Sequence, residues 1–414
     1  MSESVISGGK PLFGTVIPGG SKNAALPILF ACLPLRAVSV ISNVPDIGDV
    51  RVAIEILCDM GASVVREGDV LTVDTTDVFY KKPRHSLTSR IRASSYLIGA
   101  SLAAFGIFHL SEFGGCNFGN RPIDMHLYAA ERLGAKKEGD AALAGRLRGA
   151  RIAFSKKSVG ATINALIMAA FAEGETCIEG GAEEPHVGNL IEFLRSAGAD
   201  IEAHGGNINV RSRPSGGGRV TVIADMIEAG TFLIAAPLTG GRITASSVSE
   251  CELSSLLSVL SASGISVECS KSGITVFGEP SREFCIRTEP YPGYPTDLQP
   301  QIAPLMAKFF GGDIYEGVWH SRFSYLSELR AFGIGYEVSG SRAKIFPSAL
   351  TSGIALAPDL RGGAAALLAA LAAEGESRIK NTEIILRGYS QLERKLTTLG
   401  ADIKIDETNL QGDT

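Results

Sequence analysis

A glycine that ends one helix and precedes one strand recurs six times along this chain, and this repeat limits the possible folds more than any other feature. The six glycines are Gly61, Gly134, Gly198, Gly264, Gly333 and Gly400. Successive members lie 73, 64, 66, 69 and 67 residues apart. Each suits the left-handed conformation that closes a helix, and most lead into alternating strand sequence such as residues 401–405. This regular spacing predicts one supersecondary unit in six copies.

Each copy also contains an earlier helix that is apolar on nearly every side, which predicts that it is buried. The six predicted helices span residues 23–33, 91–105, 160–172, 228–238, 298–309 and 361–373. A short strand such as 242–245 follows each helix, and a strand such as 219–223 usually precedes it. The unit is therefore predicted to run strand, buried helix, strand, amphipathic helix, then one or two strands.

Six buried helices cannot form a solenoid of identical neighbours, because none of the six could face solvent. With 414 residues, of which 45% are hydrophobic, the chain is long enough for two or three cores. Three units in each of two domains would enclose each trio of helices in a shell of sheet. We therefore predict an α/β (α+β) protein built as a two-domain inside-out α/β barrel. The junction is expected near residues 211–218, with ligands bound in the cleft between the domains.

Charge and cysteine usage exclude several classes of protein. The net charge of −5 argues against binding to nucleic acid or to an acidic membrane surface. The N-terminus lacks a secretory pattern, and the longest apolar runs, such as 363–373, are too short for membrane insertion. Seven cysteines without CxxC pairing indicate neither a disulfide framework nor a zinc site. We expect a cytoplasmic protein without a metal.

A glycine-rich loop at residues 114–124 contains Cys116 and Arg121 and leads into the helical pattern 125–133. Its three glycines and its proline suit a mobile segment that enters a helix. One interpretation is a loop that presents a reactive thiol. The other is a surface turn whose cysteine is incidental, since a single glycine motif is weak evidence.

Cationic side chains collect where the buried helices are predicted to begin. They are Lys22, Arg90, Arg92, Lys156, Lys157 and Arg361, and the second helices add Arg121, Arg322 and Arg387. Helix N-termini already favour anions, so the clustering of cations at such positions implies a multiply charged substrate. The alternative is that each cation forms an ordinary ion pair. Asp297, delivered onto a helix start by the turn 292–297, is either a functional carboxylate or an N-cap.

Several of these segments carry a resemblance to a known family. The most specific are residues 20–27, 114–124, 158–162 and 294–299, together with Arg322-Phe323 and Arg387-Gly388-Tyr389. Over essentially its whole length the chain resembles the UDP-N-acetylglucosamine enolpyruvyl transferases (carboxyvinyltransferases) of peptidoglycan synthesis. The resemblance implies a fold related to the shikimate-pathway enolpyruvyl transferase. It also implies domains at 21–223 and at 1–20 plus 224–414, the N-terminal strand completing the second.

The resemblance implies an enzyme that moves the enolpyruvyl group of phosphoenolpyruvate to the 3'-hydroxyl of UDP-N-acetylglucosamine and releases phosphate. The family reaction is an addition and elimination through a tetrahedral intermediate, with no cofactor. It is the first committed step of peptidoglycan synthesis. Cysteine-bearing members are alkylated by fosfomycin, which implies the same covalent inhibition at Cys116.

The matching positions imply a role for each site residue. Cys116 is expected to be the acid or the covalent trap for phosphoenolpyruvate, and Asp297 the base for the sugar hydroxyl. Lys22 and Arg387 are expected to hold the anionic groups of phosphoenolpyruvate together with Arg121. The remaining expected substrate-binding residues are Asn23, Arg92, Pro122, Ile123, Asp124, Met125, Lys156, Ser158, Val159, Gly160, Val318, Arg322, Asp359 and Arg361.

The chain departs from the family pattern at a few positions, which leaves the acceptor open. The departures are Lys157, Ala224, Met226, Ser321 and Leu386. Two alternatives are therefore an enolpyruvyl transferase for another nucleotide acceptor and a non-catalytic paralogue that binds a nucleotide sugar. A shikimate-type enzyme is disfavoured, because Asn23 stands where that family carries a serine and Cys116 has no role there.

Overall fold

The computed structural model describes residues 2–109, 113–114, 122–139, 142–320 and 322–406. The chain divides into two compact units. The N-terminal unit contains the described residues from 20 to 223, and the C-terminal unit contains residues 2–19 and 224–406. None of the helices in the described ranges is long and apolar enough to cross a membrane.

The strands are short and are distributed along the whole chain. Within the described ranges they are β1 (Glu3–Gly8), β2 (Phe13–Val16), β3 (Val38–Ser42), β4 (Ser63–Glu67), β5 (Val70–Asp74), β6 (Ile107–His109), β7 (Lys136–Glu138), β8 (Ala142–Ala144), β9 (Arg151–Ala153), β10 (Thr176–Glu179), β11 (Asp200–His204), β12 (Asn207–Ser212), β13 (Arg219–Thr221), β14 (Arg242–Ala245), β15 (Ser266–Ser270), β16 (Gly273–Phe277), β17 (Phe284–Thr288), β18 (Gly312–Glu316), β19 (Tyr336–Ser339), β20 (Arg342–Ile345), β21 (Ile354–Leu356), β22 (Gly375–Lys380) and β23 (Asp402–Asp406).

Helices alternate with these strands. In the same ranges the α-helices are α1 (Lys22–Cys32), α2 (Gly48–Asp59), α3 (His85–Thr88), α4 (Leu97–Phe105), α5 (Asp124–Arg132), α6 (Val159–Phe171), α7 (Pro185–Ser196), α8 (Met226–Thr239), α9 (Glu250–Ala262), α10 (Gln299–Lys308), α11 (Leu326–Leu329), α12 (Leu360–Ala372), α13 (Glu383–Leu386) and α14 (Leu392–Thr398). Three 3-10 segments lie at Leu33–Leu35, Arg92–Tyr96 and Arg330–Phe332.

The strands of the described chain form six small sheets, three in each unit. The orders in the N-terminal unit are β13-β3-β5-β4, β6-β8-β7 and β11-β12-β10-β9. Those in the C-terminal unit are β15-β16-β14-β2, β17-β18-β20-β19 and β21-β22-β1-β23. In three repeats the strands that flank the buried helix pair in parallel: β9 with β10, β17 with β18, and β21 with β22. This is the strand, helix, strand order that the repeat predicts.

Two strands are exchanged between repeats that are far apart in the sequence. Strand β2 precedes α1, yet it pairs in parallel with β14 of the fourth repeat. Strand β13 precedes α8 and pairs in parallel with β3 of the first repeat. Strand β1 lies between β22 and β23 and is antiparallel to both. The first residues of the chain therefore complete sheets of the C-terminal unit.

The six repeat glycines all adopt the left-handed conformation, with φ between 79° and 101°. Each lies at or just after the end of a helix, as at Gly198, which follows α7 and its C-cap residue Ala197. A side chain at such a φ is strained, so glycine is required for the chain to turn there into the next strand. The prediction from the repeat is confirmed.

The predicted buried helices are present and form the centre of each unit. Helices α8, α10 and α12 pack against one another in the C-terminal unit, while α4 packs on α1 and α6 in the N-terminal unit. Every residue from Leu360 to Leu371 of α12 is buried. The inside-out arrangement of helices within sheets is thus confirmed.

One predicted helix differs in detail from the structure. The α-helix predicted to begin at residue 91 begins at Leu97, and Arg92–Tyr96 form a 3-10 helix instead. The Ser94 hydroxyl donates to the carbonyls of Ile91 and Thr88, both at 2.7 Å. Such local side-chain bonds compete with regular helix bonds, which accounts for the tighter start.

Candidate active site

Asp297 lies between two arginines in the C-terminal unit. Its Oδ1 accepts a hydrogen bond from Arg322 Nη1 at 2.9 Å. Its Oδ2 accepts from Arg361 Nε at 3.2 Å and from Arg361 Nη2 at 3.0 Å. The N-cap residue of α10 is Leu298, so the alternative in which Asp297 caps this helix is wrong.

Burial gives this trio its electrostatic character. Both arginine side chains are 4% exposed, whereas the side chain of Asp297 is 32% exposed. Burial is the largest influence on Arg361 and lowers its pKa, but Asp297, Tyr389 and Asp225 together outweigh it, so the pKa of Arg361 is raised. Two adjacent guanidinium groups favour the ionised form of Asp297. The result is a partly exposed carboxylate held by two buried guanidinium groups.

A second layer of hydrogen bonds holds Arg322 in place. Its Nη1 also donates to Thr296 Oγ1 at 2.9 Å, and Thr296 donates to Glu316 Oε2 at 3.0 Å. The buried carboxylate of Glu316 then accepts from the backbone N–H groups of Val318 and Trp319, at 2.9 and 3.0 Å. Glu316 therefore connects the segment that contains Val318 to the arginine beside Asp297.

Asp359 and Arg387 occupy helix ends in the same unit. Asp359 is the N-cap of α12, where its Oδ1 accepts from the N–H groups of Arg361 and Gly362 at 2.9 and 3.1 Å. This cap fixes Arg361 in the first turn of a buried helix. Arg387 is half-buried at the C-cap position of α13. Its expected contact with phosphoenolpyruvate stays a prediction.

In the N-terminal unit, Lys22 is the first residue of α1. Its Nζ lies 3.5 Å from Asp49 Oδ2, and the two side chains are 16% and 7% exposed. Two other cations at predicted helix starts are also paired: Arg90 with Glu55 at 3.1 Å, and Lys157 with Glu183 at 2.5 Å. The ordinary ion-pair interpretation thus holds for these three.

The expected nucleotide-sugar residues in this unit lie at the starts of helices. Arg92 opens the 3-10 segment, with its guanidinium 5.9 Å from the ring centre of Phe113, and burial lowers the pKa of Arg92.

Ser158 is the N-cap of α6, and its hydroxyl accepts from the N–H of Ala161 at 3.4 Å. Lys156 is exposed just before this cap. Val159 and Gly160 follow in the first turn, whose N–H groups favour anions. Asn23, the second residue of α1, is half-buried.

A buried amide connects these helix starts. Asn164 of α6 accepts from the N–H of Gly99 at 2.6 Å and donates to the carbonyl of Ser95 at 3.1 Å. Its Nδ2 also lies 2.8 Å from Nδ1 of His126, which accepts from it. Burial and the charge of Arg92 lower the pKa of His126 to about 4, with Asp124 opposing. The buried His126 ring is therefore neutral at pH 7.

The glycine-rich loop is described only at its two ends. Gly114 donates its N–H to the carbonyl of Thr88 at 3.0 Å, and a Cβ at Gly114 would lie 1.9 Å from the carbonyl oxygen of Ser89. At the other end Asp124 and Met125 begin α5, and Pro122 and Ile123 precede it. Cys116 and Arg121 lie outside the described residues.

The structure therefore brings some expected residues together and adds others. Asp297, Arg322 and Arg361 form one cluster, to which Val318 and Asp359 are joined through Glu316 and the helix cap. Sequence reasoning missed the supporting residues Asp49, Asn164, Thr296 and Glu316. Thr296 adjoins Asp297, and Asn164 lies one turn beyond Gly160 on α6, so their spacing was a usable signal. Asp49 on α2 and Glu316 on β18 are instead brought to the site by tertiary packing. Among the described residues, no group of three or more His, Cys, Asp or Glu side chains could hold a metal ion.

Two units of three repeats, with buried helices inside small sheets and cations at the helix starts, define the fold of the enolpyruvyl transferases. The crystal structure of the enolpyruvyl transferase NikO from Streptomyces tendae matches with a TM-score of 0.86 and 28% identity, over 98% of this chain and 99% of that chain. EPSP synthase from Acinetobacter baumannii has the same fold, with a TM-score of 0.72 and 16% identity over 98% of this chain and 100% of that chain.

Sequence comparison identifies the family. The family model of EPSP synthase (3-phosphoshikimate 1-carboxyvinyltransferase) matches residues 6–396. A UDP-N-acetylglucosamine 1-carboxyvinyltransferase from Halothermothrix orenii is 40% identical over 412 residues, 98% of this chain and 99% of its own. UDP-N-acetylglucosamine 1-carboxyvinyltransferase 3 from Caldanaerobacter subterraneus subsp. tengcongensis is 42% identical over 412 residues, 97% of this chain and 99% of its own. The chain belongs to the EPSP synthase family of carboxyvinyltransferases.

Proposed function

We propose that this enzyme transfers the enolpyruvyl group of phosphoenolpyruvate to the 3'-hydroxyl of UDP-N-acetylglucosamine and releases phosphate, as the first committed step of peptidoglycan synthesis in the cytoplasm. The partly exposed carboxylate of Asp297, held by Arg322 and Arg361, is the observation that carries the proposal. Relatives of about the same length and 40% and 42% identity bear the name of this activity.

In the proposed addition step, the sugar 3'-oxygen bonds to C2 of phosphoenolpyruvate while its proton passes to Asp297. The methylene carbon gains a proton, for which Cys116 is the proposed donor. A thiol of ordinary pKa, about 8.5, is mostly protonated at neutral pH and can donate. Elimination then breaks the bond between C2 and the phosphate oxygen and removes a proton from the new methyl group. No step in this sequence needs an oxidant or a reductant.

Phosphoenolpyruvate carries a phosphate and a carboxylate, and cations at fixed positions suit both groups. We assign these anions to Lys22, Arg121 and Arg387. The diphosphate and sugar of the acceptor suit the helix starts around Arg92 and α6. The proposed contacts of the acceptor are Asn23, Arg92, Pro122, Ile123, Asp124, Met125, Lys156, Ser158, Val159, Gly160, Val318, Arg322, Asp359 and Arg361.

The proposal extends to domain organisation and to inhibition. Domains at 21–223 and at 1–20 plus 224–414 are supported by the two compact units. Fosfomycin is proposed to alkylate Cys116, because an epoxide reacts with a thiolate and cations near the loop would favour that form.

Phosphate release tests the function directly. Purified protein is incubated with phosphoenolpyruvate and UDP-N-acetylglucosamine, and each substrate is omitted in turn as a control. We expect phosphate to form only when both are present, with one enolpyruvyl-sugar product per phosphate by mass spectrometry. Absence of phosphate with both substrates, from protein with a cooperative thermal transition, would contradict the proposal.

A second candidate is an enolpyruvyl transferase for another nucleotide acceptor. The departures at Ser321 and Leu386 motivate it, since both flank arginines proposed to contact substrate. Competition between UDP-N-acetylglucosamine and other nucleotides at equal concentration separates the two candidates. The highest kcat/KM for UDP-N-acetylglucosamine would eliminate this alternative. Tight binding of that sugar nucleotide without turnover would instead favour the non-catalytic paralogue.

A further inference from the structure

Tyr389 is a fully buried side chain on which the three central helices of the C-terminal unit converge. Its hydroxyl lies 2.9 Å from Thr231 Oγ1 of α8 and accepts from Gln301 Nε2 of α10 at 3.3 Å. Thr231 already donates to the carbonyl of Ile227 at 2.8 Å, so its oxygen accepts from the Tyr389 hydroxyl. Burial raises the pKa of Tyr389, and the phenol is neutral at physiological pH.

The third helix reaches Tyr389 through Arg361 of α12. The Arg361 guanidinium carbon lies 5.7 Å from the centre of the Tyr389 ring. Nε and Nη2 of Arg361 are used by Asp297, whereas Nη1 is buried and has no hydrogen-bond partner. A buried cation with an unused N–H group is costly, and an aromatic ring is a favourable neighbour for it.

We propose that Tyr389 is a positioning residue for the transfer reaction, whose ring holds the Arg361 guanidinium so that it faces Asp297. The inference rests on the proposed function, because it concerns the carboxylate assigned as base. Tyr389 itself contacts no substrate in this scheme. It anchors α8, α10 and α12 to one another, and Asp297 and Arg361 lie at the starts of two of these helices.

The charges around Asp297 set the direction of the expected change. Arg322 and Arg361 contact the carboxylate, Asp225 acts electrostatically on Arg361, and Glu316 lies behind Thr296. Without the Tyr389 ring beside it, the Arg361 guanidinium can move away from Asp297. The stabilisation that Arg361 gives to the ionised carboxylate is then weaker. The base then takes up a proton at higher pH, and activity is lost earlier on acidification.

Two substitutions separate the ring from the hydroxyl. Tyr389→Leu removes both, and we expect kcat to fall about tenfold or more, with the acidic limb of the kcat–pH profile moved to higher pH. Tyr389→Phe keeps the ring and removes the hydroxyl, which also interacts with Arg361, so we expect a smaller fall in kcat and a smaller shift of the acidic limb than in Tyr389→Leu. The KM for phosphoenolpyruvate is expected to stay within about twofold in both variants, because Arg361 is not assigned to that substrate.

Three outcomes would overturn the proposal. The first is a Tyr389→Leu profile with the wild-type acidic limb. The second is a loss of equal size in the phenylalanine variant. The third is a rise confined to the KM for phosphoenolpyruvate, which would indicate an effect on neighbouring Arg387 instead.

A measurement without substrate keeps the proposal testable if the enzyme has another function. The carboxyl titration of Asp297 is followed by carbon-13 NMR in aspartate-labelled protein, with Asp297→Asn to assign the signal. We expect the midpoint to rise in Tyr389→Leu and to rise less in Tyr389→Phe. An unchanged midpoint in the leucine variant would refute the positioning role. If the wild-type protein makes no product but the midpoint still rises in Tyr389→Leu, only the proposed function is contradicted.

Discussion

Gly160 and His126 are packed so closely that no side chain fits between them. A Cβ on Gly160 would lie 2.9 Å from Cε1 and 3.0 Å from Nε2 of the His126 ring. Gly160 is in the first turn of α6, and Asn164, one turn further along the same helix, donates to Nδ1 of the His126 ring. The absence of a side chain at position 160 therefore brings the start of α6 against α5.

Gly160→Ala is expected to destabilise the N-terminal unit by about 1 to 3 kcal/mol, because the methyl group must displace the buried ring or the helix start. The KM for UDP-N-acetylglucosamine should rise, since Ser158 and Val159 move with the helix. Urea unfolding and steady-state kinetics measure the two effects.

Gly188→Ala is the matched control: no atom lies within 4 Å of the new Cβ, and Gly188 is inside α7. We expect that variant to be as stable as wild type or about 0.5 to 1 kcal/mol more stable. Equal stability of the two variants would contradict this account.

His126 makes stability depend on pH. Its pKa is about 4 in the folded protein and ordinarily 6.5, because burial disfavours the charged ring. The folded state therefore has its full stability above pH 6.5 and loses up to about 3 kcal/mol as the pH falls from 6.5 to 4. We expect His126→Gln to gain stability relative to wild type over this window, as followed by urea midpoints at several pH values.

Glu228 changes the stability with pH in the direction opposite to His126. The stability of His126→Gln must therefore be compared with that of wild type at each pH. Burial raises its pKa from 4.5 to about 7, with the charge of Lys395 opposing. Its contribution is present below pH 4.5 and is lost as the pH rises through 7. Glu228 is unchanged in His126→Gln, so its effect cancels in the difference. A difference between the two proteins that does not vary from pH 7 to pH 4 would refute the assignment to His126.

Lys22→Gln is expected to raise the KM for phosphoenolpyruvate by about 10- to 100-fold, because a charge-assisted contact to the anion is lost. Lys22→Arg should recover part of this loss, since it keeps the charge in another geometry. Lys157→Gln is the control, because this lysine also precedes a buried helix but is paired with Glu183 at the surface. We expect its KM to change less than about twofold. Equal effects of the two glutamine substitutions would show a general electrostatic influence rather than a contact at Lys22.

Asp297→Asn should lower kcat by about a thousandfold, because the amide cannot accept the proton of the sugar hydroxyl. The same change removes the carboxylate from between Arg322 and Arg361, so we expect a loss of about 1 to 3 kcal/mol in stability. Thermal unfolding with and without UDP-N-acetylglucosamine shows whether the variant still folds and binds. A well-folded variant with wild-type kcat would eliminate Asp297 as the base.

Fosfomycin should add one molecule to the wild-type protein, seen by intact mass, and peptide mapping should locate it on Cys116. Cys116→Asp should form no adduct. Cys58→Ser is the control, and we expect it to react like wild type, because partial burial raises the pKa of Cys58 and keeps it protonated. Cys269 is disfavoured in the same way, by desolvation and by neighbouring Glu250. An adduct that persists in Cys116→Asp would refute the assignment.

Much of the fold follows from local features of the sequence. The repeat glycines end helices because only glycine adopts their φ without strain, and the all-apolar helices are buried because no face of theirs suits water. Alternation of side chains at 402–406 likewise defines a strand from neighbours alone. The importance of Asp297 was also visible, since a rigid turn delivers it onto a helix start.

Only the tertiary structure decided which strands pair and which charged side chains meet. Strand β2 pairs with β14 and β13 pairs with β3 because the chain crosses between repeats. No local sequence pattern shows such a crossing, since the alternation of side chains along a strand is the same whichever neighbour it pairs with. Asp297 could have been an N-cap. It instead accepts from Arg322 and Arg361, which lie 25 and 64 residues further along the chain. Sequence determines which side chains are available at each helix start, and long-range packing determines which charges meet.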